Sequence, residues 1–189
     1  MHADSWANKA KKAGYRTRAV FKLEEILKKT KVLRRSKNIL DIGAAPGGWS
    51  QYIKQHSKNS KVYALDILDM EPLEGVNFYK ISIEQIDEVE SIFELKGVFD
   101  LLISDIAPNL TGIGAIDNEN IHELNLLALE TAIKYLNKNN GSFIMKTFQN
   151  NMLKNLRKKM ELSFKIVQTF KPAASKKQSG EIYLYGAYR

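Results

Sequence analysis

Short apolar runs alternate with amphipathic stretches along most of the chain. The runs predict β-strands, and stretches whose apolar residues recur every three or four positions predict α-helices. Strands are predicted at 38–43, 61–65, 76–81, 98–104, 141–145, 163–170 and 181–188. Helices are predicted at 17–30, 49–56, 84–94, 117–137 and 150–160.

This order of elements predicts an α/β fold. Strands that alternate with helices form a mostly parallel sheet with helices on both faces. Only a polar loop, 171–180, separates the last two strands. A parallel crossover needs a dozen or more residues, so we expect this pair to be an antiparallel hairpin. We therefore predict a single domain, 1–189, with a seven-stranded sheet and a basic helical segment, 1–37, packed on its core.

Charge is distributed unevenly along the 189 residues. The chain has 29 Lys and Arg against 21 Asp and Glu, a net charge of +8. By count, the net charge is +9 in residues 1–37, −9 in 38–145 and +8 in 146–189. Two basic ends around an acidic middle favour a polyanion-binding surface. The alternative is that the ends only aid solubility, but their apolar and aromatic residues indicate folded structure.

The composition excludes several classes of site. With no cysteine, the chain forms no disulfide and has no thiolate metal site or cysteine nucleophile. The three histidines are scattered, so we expect no metal centre. No apolar run has the roughly 18 residues that a membrane span needs, and the first residues lack the apolar core of a secretory signal. We expect a cytoplasmic protein with no obligate protein partner.

A glycine-rich turn follows the first predicted strand, from Asp41 to Trp49. Open α/β sheets bind ligands just past the carboxyl ends of their strands. The spacing of Gly43, Gly47 and Gly48 matches neither the dinucleotide pattern nor the phosphate-binding Walker pattern. Asp66, at the end of the second strand, could accept hydrogen bonds from both ribose hydroxyls. An adenosyl ligand without phosphates, S-adenosylmethionine, fits these features, although the turn alone could be purely structural.

Four charged residues lie at strand ends or on the first predicted helix. They are Lys22, Asp105, Lys146 and Glu181. Asp105 ends one strand and Lys146 ends the next, so their side chains can meet above the carboxyl edge of the sheet. An ion pair that only stabilises the sheet is the alternative for either residue alone.

Five motifs in the same order resemble the FtsJ/RrmJ family of RNA ribose 2′-O-methyltransferases. The matching stretches are residues 12–23, 41–51, 104–109, 145–149 and 171–183. The resemblance implies a Rossmann-like methyltransferase fold and a catalytic tetrad of Lys22, Asp105, Lys146 and Glu181. It also implies that Gly47, Trp49, Asp66, Ser82 and Asp105 bind the methyl donor. We expect Gly43 and Gly48 of the glycine turn to belong to the same site.

Two positions depart from the family pattern. Ser82 stands where the family usually has an aspartate that contacts the adenine amino group, so cofactor affinity is expected to be lower. Gly180 stands where the family usually has an arginine, so one RNA-phosphate contact is expected to be missing or supplied by Lys176 or Lys177.

The implied reaction transfers a methyl group to a ribose 2′-oxygen, with neutral Lys146 as proton acceptor. We expect Asp105 to orient Lys146 and complement the sulfonium, and Glu181 to position Lys22 or the ribose. Basic residues from both ends are expected to flank the pocket and neutralise RNA phosphates. They are Lys9, Lys11, Lys12, Arg16, Arg18, Arg34, Arg35, Lys154, Arg157, Lys158, Lys159, Lys176 and Lys177.

The expected substrate is a uridine nucleotide in large-subunit ribosomal RNA, free or within the ribosomal subunit. A methyltransferase of tRNA or of an mRNA cap is the nearest alternative, and the compact length favours the ribosomal type. A nicotinamide-dependent oxidoreductase disagrees with the glycine spacing. A non-catalytic RNA-binding protein of the same fold would not need the complete tetrad.

Overall fold

The computed structural model of the protein describes residues 2–108, 111–176 and 178–189. Lys177, a predicted RNA-binding residue, lies outside these ranges. The strands are β1 Asn38–Ile42, β2 Lys61–Asp66, β3 Val76–Lys80, β4 Leu101–Ser104, β5 Ser142–Phe148, β6 Ile166–Phe170 and β7 Glu181–Ala187. The α-helices are α1 His2–Lys12, α2 Val20–Thr30, α3 Gly48–His56, α4 Glu90–Phe93, α5 Gly114–Tyr135 and α6 Leu153–Glu161. Two 3₁₀ helices span Val32–Arg35 and Ile83–Glu88.

The seven strands form one sheet in the order β3-β2-β1-β4-β5-β7-β6. Strands β1 to β5 are parallel to their neighbours, whereas β7 is antiparallel to both β5 and β6. The predicted α/β class, the mostly parallel sheet and the C-terminal antiparallel hairpin are therefore confirmed. Because the order reverses at β1, the crevice past the carboxyl ends of β1 and β4 is the expected ligand site of such a sheet.

Helices cover both faces of the sheet, each over its own apolar core. One core joins α1, α2 and α3 to alternate strand residues such as Ile103, Ile144 and Tyr183. The other joins α5 and α6 to the intervening residues, such as Leu102 and Met145. Side chains alternate between faces along a strand, so Asp105 and Lys146 belong to the face that α2 covers.

One predicted helix is divided in two, and α2, α5, α6, β4 and β6 begin about three residues from their predicted starts. The stretch 84–94 is not one helix but a 3₁₀ helix followed by the four-residue α4, because extended Val89 (φ −88°, ψ 97°) separates them. Helix α2 begins at Val20 rather than at residue 17, and the Thr17 hydroxyl instead accepts a hydrogen bond from the Ala19 N–H. Among the described helices, none is long and apolar enough to span a bilayer.

Candidate active site

The register of β4 and β5 brings the predicted aspartate and lysine together. Ser104 pairs with Met145, so the next residues, Asp105 and Lys146, lie side by side at the carboxyl edge of the sheet. The Lys146 Nζ lies 3.2 Å from Asp105 Oδ1 and donates a hydrogen bond to the Asp105 carbonyl oxygen at 2.5 Å. The Lys146 side chain is only 11% exposed and that of Asp105 is 23% exposed. The two charges thus form a largely desolvated pair.

Glu181 and Lys22 form a second ion pair beside the first. Lys146 pairs with Tyr183 across the β5–β7 ladder and Phe148 pairs with Glu181, so Glu181 projects from the same face as Lys146. Helix α2 packs on that face and places Lys22 Nζ 2.7 Å from Glu181 Oε1. The side chains are 11% and 14% exposed. The four tetrad residues therefore meet at one edge, as two adjacent ion pairs.

Two further residues fix the carboxylates of the tetrad. The Tyr183 hydroxyl donates to Asp105 Oδ1 at 3.3 Å, and the Ser175 hydroxyl donates to Glu181 Oε1 at 2.8 Å. Neither residue was predicted from the sequence to belong to the site. Tyr183 could have been found from strand periodicity, since it lies two residues after Glu181 and shares its face. Ser175 could not, because it lies in the loop before β7 and its position depends on how that loop folds.

The electrostatic environments of the two carboxylates differ. Burial raises the pKa of Asp105, and the nearby cations Lys146 and Lys22 offset only part of this effect. Burial also tends to raise the pKa of Glu181, but the hydrogen bond and charge of Lys22 outweigh it and the pKa is lowered. Glu181 is therefore the firmly ionised member and the partner that fixes Lys22.

The turn after β1 needs its glycines. Gly43 has a φ of +74°, and a Cβ there would lie 2.8 Å from the Ile106 Cα. Gly47 has a φ of +100° and precedes the first residue of α3. A Cβ on Gly48 would lie 2.1 Å from the Thr17 Cγ2. The backbone of the turn thus approaches two neighbouring segments more closely than side chains would allow.

Two carboxylates line the base of this turn. Asp66 accepts hydrogen bonds from the Ala45 N–H through Oδ2 and from the Leu68 N–H through Oδ1, each at 2.9 Å. Asp41 is fully buried and accepts a 2.6 Å hydrogen bond from the Ser50 hydroxyl, while its Oδ1 has no partner in the described part of the chain. Burial raises the pKa of Asp41 to about 7. An unpartnered buried carboxylate oxygen is costly by itself, so it points to a ligand donor.

Two predicted cofactor residues have other contacts. Trp49 is 3% exposed, its indole N–H donates to the Ala19 carbonyl at 3.0 Å, and its ring lies 5.8 Å from that of Tyr183. Its side chain is thus part of the core, and only its backbone faces the turn. Ser82 caps the 3₁₀ helix that follows β3, and its hydroxyl donates to the carboxylate of Glu84. Their roles in cofactor binding stay predictions.

The predicted RNA-binding residues do not all surround this edge. Arg34 and Arg35 precede β1 and therefore lie at the opposite edge, about 15 Å away along a five-residue strand. They do not flank the site, although RNA binding by them stays a prediction. Lys9 lies over the rings of Trp6 and Phe21, at 4.9 and 4.7 Å from their centroids. The other described candidates are Lys11, Lys12, Arg16, Arg18, Lys154, Arg157, Lys158, Lys159 and Lys176.

Comparison with known proteins identifies the family. The sequence profile of the FtsJ-like methyltransferases matches residues 15–189, nearly the whole chain. The chain belongs to the FtsJ-like methyltransferase family. The expected resemblance is confirmed, and the methyl donor of this methyltransferase is S-adenosylmethionine.

Its relatives share most of its length. A protein of Methanocella arvoryzae named ribosomal RNA large subunit methyltransferase E is 40% identical, over 97% of this chain and 71% of the relative. A protein of the same name from Wigglesworthia glossinidia brevipalpis is 39% identical, over 97% of this chain and 90% of the relative. A crystal structure from Plasmodium falciparum, provisionally named a ribosomal RNA methyltransferase, has a TM-score of 0.78 at 31% identity. It covers 92% of this chain, and the match covers 97% of that protein.

The residues around the glycine turn fit the methyl donor. Each oxygen of Asp66, at the base of the turn, accepts one hydrogen bond and retains a second lone pair for a ribose hydroxyl. The unpartnered oxygen of Asp41 is suited to accept a hydrogen bond from an ammonium group. Within the described ranges, no cluster of three or more acidic or histidine side chains is placed to hold a metal ion.

Proposed function

We propose that this methyltransferase transfers a methyl group from S-adenosylmethionine to the 2′-hydroxyl of a uridine nucleotide in large-subunit ribosomal RNA, in the cytoplasm. The observation that most supports a hydroxyl acceptor is Lys146, whose amine is held at the carboxyl edge of β5 beside the ligand crevice. The names of the relatives support ribosomal RNA as the substrate. No obligate protein partner is implied.

S-adenosylmethionine supplies an electrophilic methyl group on a sulfonium. Lys146, in its neutral form, accepts the proton of the 2′-hydroxyl as the oxygen attacks that methyl. The new oxygen–carbon bond forms as the carbon–sulfur bond breaks, so the proton ends on Lys146 and adenosylhomocysteine leaves. A positioned base of this kind contributes about 10²- to 10⁴-fold to a rate.

The remaining tetrad residues support this step through position and charge. Asp105 holds the amine of Lys146 through its carboxylate and its carbonyl oxygen, and its negative charge complements the sulfonium. Glu181 holds Lys22 in an ion pair, so Lys22 stays fixed beside the acceptor ribose. Much of the acceleration then comes from alignment of oxygen, carbon and sulfur, which the protein achieves by fixing both reactants.

The test is methylation with radiolabelled S-adenosylmethionine and four substrates. These are large ribosomal subunits from cells lacking the enzyme, protein-free ribosomal RNA from them, tRNA and capped mRNA. A 2′-O-methyl group protects the adjacent phosphodiester from alkaline hydrolysis, so a protected dinucleotide both identifies the ribose and gives its base. We expect labelled, alkali-resistant uridine from one of the ribosomal substrates. Label on a base, or only on tRNA or cap, would refute the proposal.

Variants of Lys146 test the mechanism. Lys146→Ala is expected to lower transfer by at least about 100-fold. Lys146→Arg keeps the charge opposite Asp105 but cannot accept the proton, so it is expected to be equally inactive. Both variants should bind adenosylhomocysteine within about threefold of the wild type by calorimetry, and the exposed Lys165→Ala should be fully active. Substantial transfer by Lys146→Arg would show that another group accepts the proton.

A further inference from the structure

Arg16 was predicted to bind RNA, but its guanidinium is occupied by the protein itself. Its Nη1 donates to the Pro46 carbonyl at 3.0 Å and to the Glu71 carbonyl at 2.7 Å. Its Nη2 donates to the Pro72 carbonyl at 2.8 Å. Three of the five N–H groups of a guanidinium are therefore committed to backbone carbonyls. Such charge-assisted hydrogen bonds are stronger than neutral ones.

The three carbonyls belong to the two loops that border the methyl-donor crevice. Pro46 lies within the glycine turn that follows β1. Glu71 and Pro72 lie in the loop that follows β2 and Asp66. The two loops also touch through the hydrogen bond from the Ala45 N–H to Asp66 and through Met70, which packs against Ala44 of the turn. Arg16 thus joins the glycine turn to the segment that follows the expected ribose ligand.

The segment that contains Arg16 is itself fixed to α3. The Arg16 N–H donates to Gln51 Oε1 at 3.0 Å, and Gln51 Nε2 donates to the Gly14 carbonyl at 2.8 Å. The guanidinium also packs closely on the turn, because a Cβ on Gly47 would lie 2.8 Å from Nη1. The absence of a side chain at position 47 is therefore needed for the position of Arg16 as well as for the φ of +100°.

We propose that Arg16 is a positioning residue that holds the two loops of the methyl-donor pocket together, and that it is not a phosphate ligand of the RNA. The inference rests on the proposed function for the identity of the two ligands. Its basis is the geometry of one residue, whose side chain binds the loops after β1 and β2 and whose backbone N–H binds Gln51 of α3. Loss of the connection lets the loop after Asp66 separate from the glycine turn, so the cofactor binds to a less organised pocket.

Arg18, two residues further on, offers a matched control. It lines a hollow of about 480 Å³ that Arg16 also borders, but among the described residues it makes no hydrogen bond to either pocket loop. Arg16→Ala is expected to weaken adenosylhomocysteine binding by about 10- to 100-fold in calorimetry, since three hydrogen bonds are lost. Arg16→Lys keeps one compact donor group, so its adenosylhomocysteine affinity should lie between those of the wild type and Arg16→Ala. The affinity of Arg18→Ala should stay within about twofold of the wild type.

The salt dependence of RNA binding, unlike the cofactor affinity, should not change in Arg16→Ala. A phosphate ligand contributes about 0.7 to 0.9 to the slope of log affinity against log salt concentration. Arg16→Ala should leave this slope unchanged, measured with a ribosomal RNA fragment, whereas loss of a true phosphate ligand reduces it. In methylation assays, the KM for S-adenosylmethionine should rise for Arg16→Ala and Arg16→Lys, while kcat at saturating S-adenosylmethionine stays close to that of the wild type.

The outcomes are distinguishable. Wild-type adenosylhomocysteine affinity in Arg16→Ala, together with a reduced salt slope, would overturn the proposal and restore Arg16 as an RNA ligand. If Arg16→Ala does not fold, hydrogen exchange in Arg16→Lys decides, because faster exchange in 44–48 and 67–73 is expected and unchanged exchange refutes the connection. If the wild type methylates no ribose but Arg16→Ala still loses adenosylhomocysteine affinity, the proposed substrate is wrong and the role of Arg16 stands.

Discussion

Asp41 should make the protein less stable as the pH rises, and Asp41→Asn should remove that effect. The side chain is fully buried at the end of β1, with one oxygen bonded to Ser50 and the other unpartnered in the described chain. Burial, and after it the charges of Asp105 and Asp66, raise its pKa from 3.8 to about 7, although the Ser50 hydrogen bond opposes this shift. Asparagine has the same shape and can still accept the Ser50 hydrogen bond, but it carries no charge at any pH.

The direction in which the free energy of unfolding changes with pH follows from proton linkage. Between pH 4 and 7 the folded protein holds the proton of Asp41 and the unfolded chain has lost it, so the free energy of unfolding falls as pH rises. The loss is complete near the folded pKa, about 7, and the curve is flat above it. The rise in the pKa of Asp41 from 3.8 to about 7 corresponds to about 4 kcal/mol in total, of which roughly 2 to 3 kcal/mol develops between pH 5 and pH 8.

The assay is urea unfolding of the ligand-free wild type and Asp41→Asn at pH 5, 6, 7 and 8. The stability of the variant relative to the wild type should increase by roughly 2 to 3 kcal/mol over this range, with little change above pH 7. Ser50→Ala removes the hydrogen bond that favours the charged form, so its pH-dependent loss should extend to higher pH. Parallel curves for the wild type and Asp41→Asn would show that Asp41 ionises normally, and the reasoning from burial would fail.

Two further variants test ion pairs. Lys22→Ala leaves the buried Glu181 carboxylate without its cation, so the free energy of unfolding at pH 7 should fall by about 3–5 kcal/mol. The double variant Lys22→Met with Glu181→Leu should recover much of this stability. If the double variant instead loses the sum of the two single losses, the pairing is contradicted. Asp87 has a pKa lowered to about 2 by Lys134 and Tyr135, so it stabilises the fold above pH 4 and loses this effect as pH falls toward 2. Asp87→Asn should therefore lower the free energy of unfolding at pH 7, by at most about 1 kcal/mol because the side chain is 41% exposed, and should leave it unchanged at pH 2. An equal loss at both pH values would exclude ionisation of Asp87 as the cause.

The fold class could be predicted because its signals are local. Apolar runs mark the strands, and the short loop 171–180 requires an antiparallel pair. The position of β7 between β5 and β6 could not be predicted, since strand order depends on which edges pair in three dimensions. The stretch 84–94 has helical composition, but the backbone conformation at Val89 interrupts it.

The site was predictable to the extent that it lies at strand ends. Asp105 and Lys146 end adjacent parallel strands, so their meeting follows from the topology. Arg16 was predicted to bind RNA because an arginine in a basic segment resembles a phosphate ligand, and only the fold shows the carbonyls to which it donates. Arg34 and Arg35 belong to the same basic segment, but they lie at the opposite edge because the chain enters β1 directly after them.

If the methyl donor binds at the carboxyl edge as proposed, the charges there favour it over its product. Four carboxylates, Asp41, Asp66, Asp105 and Glu181, lie there with two lysines, Lys22 and Lys146. With Lys146 neutral, as the proposed reaction requires, and the other five groups ionised, the edge has a net charge of −3, which attracts the sulfonium of S-adenosylmethionine. Adenosylhomocysteine has lost that positive charge, so the same edge attracts it less, and product release is favoured once the methyl group has moved. Because the pKa of Asp41 is about 7, this preference should be strongest above neutral pH.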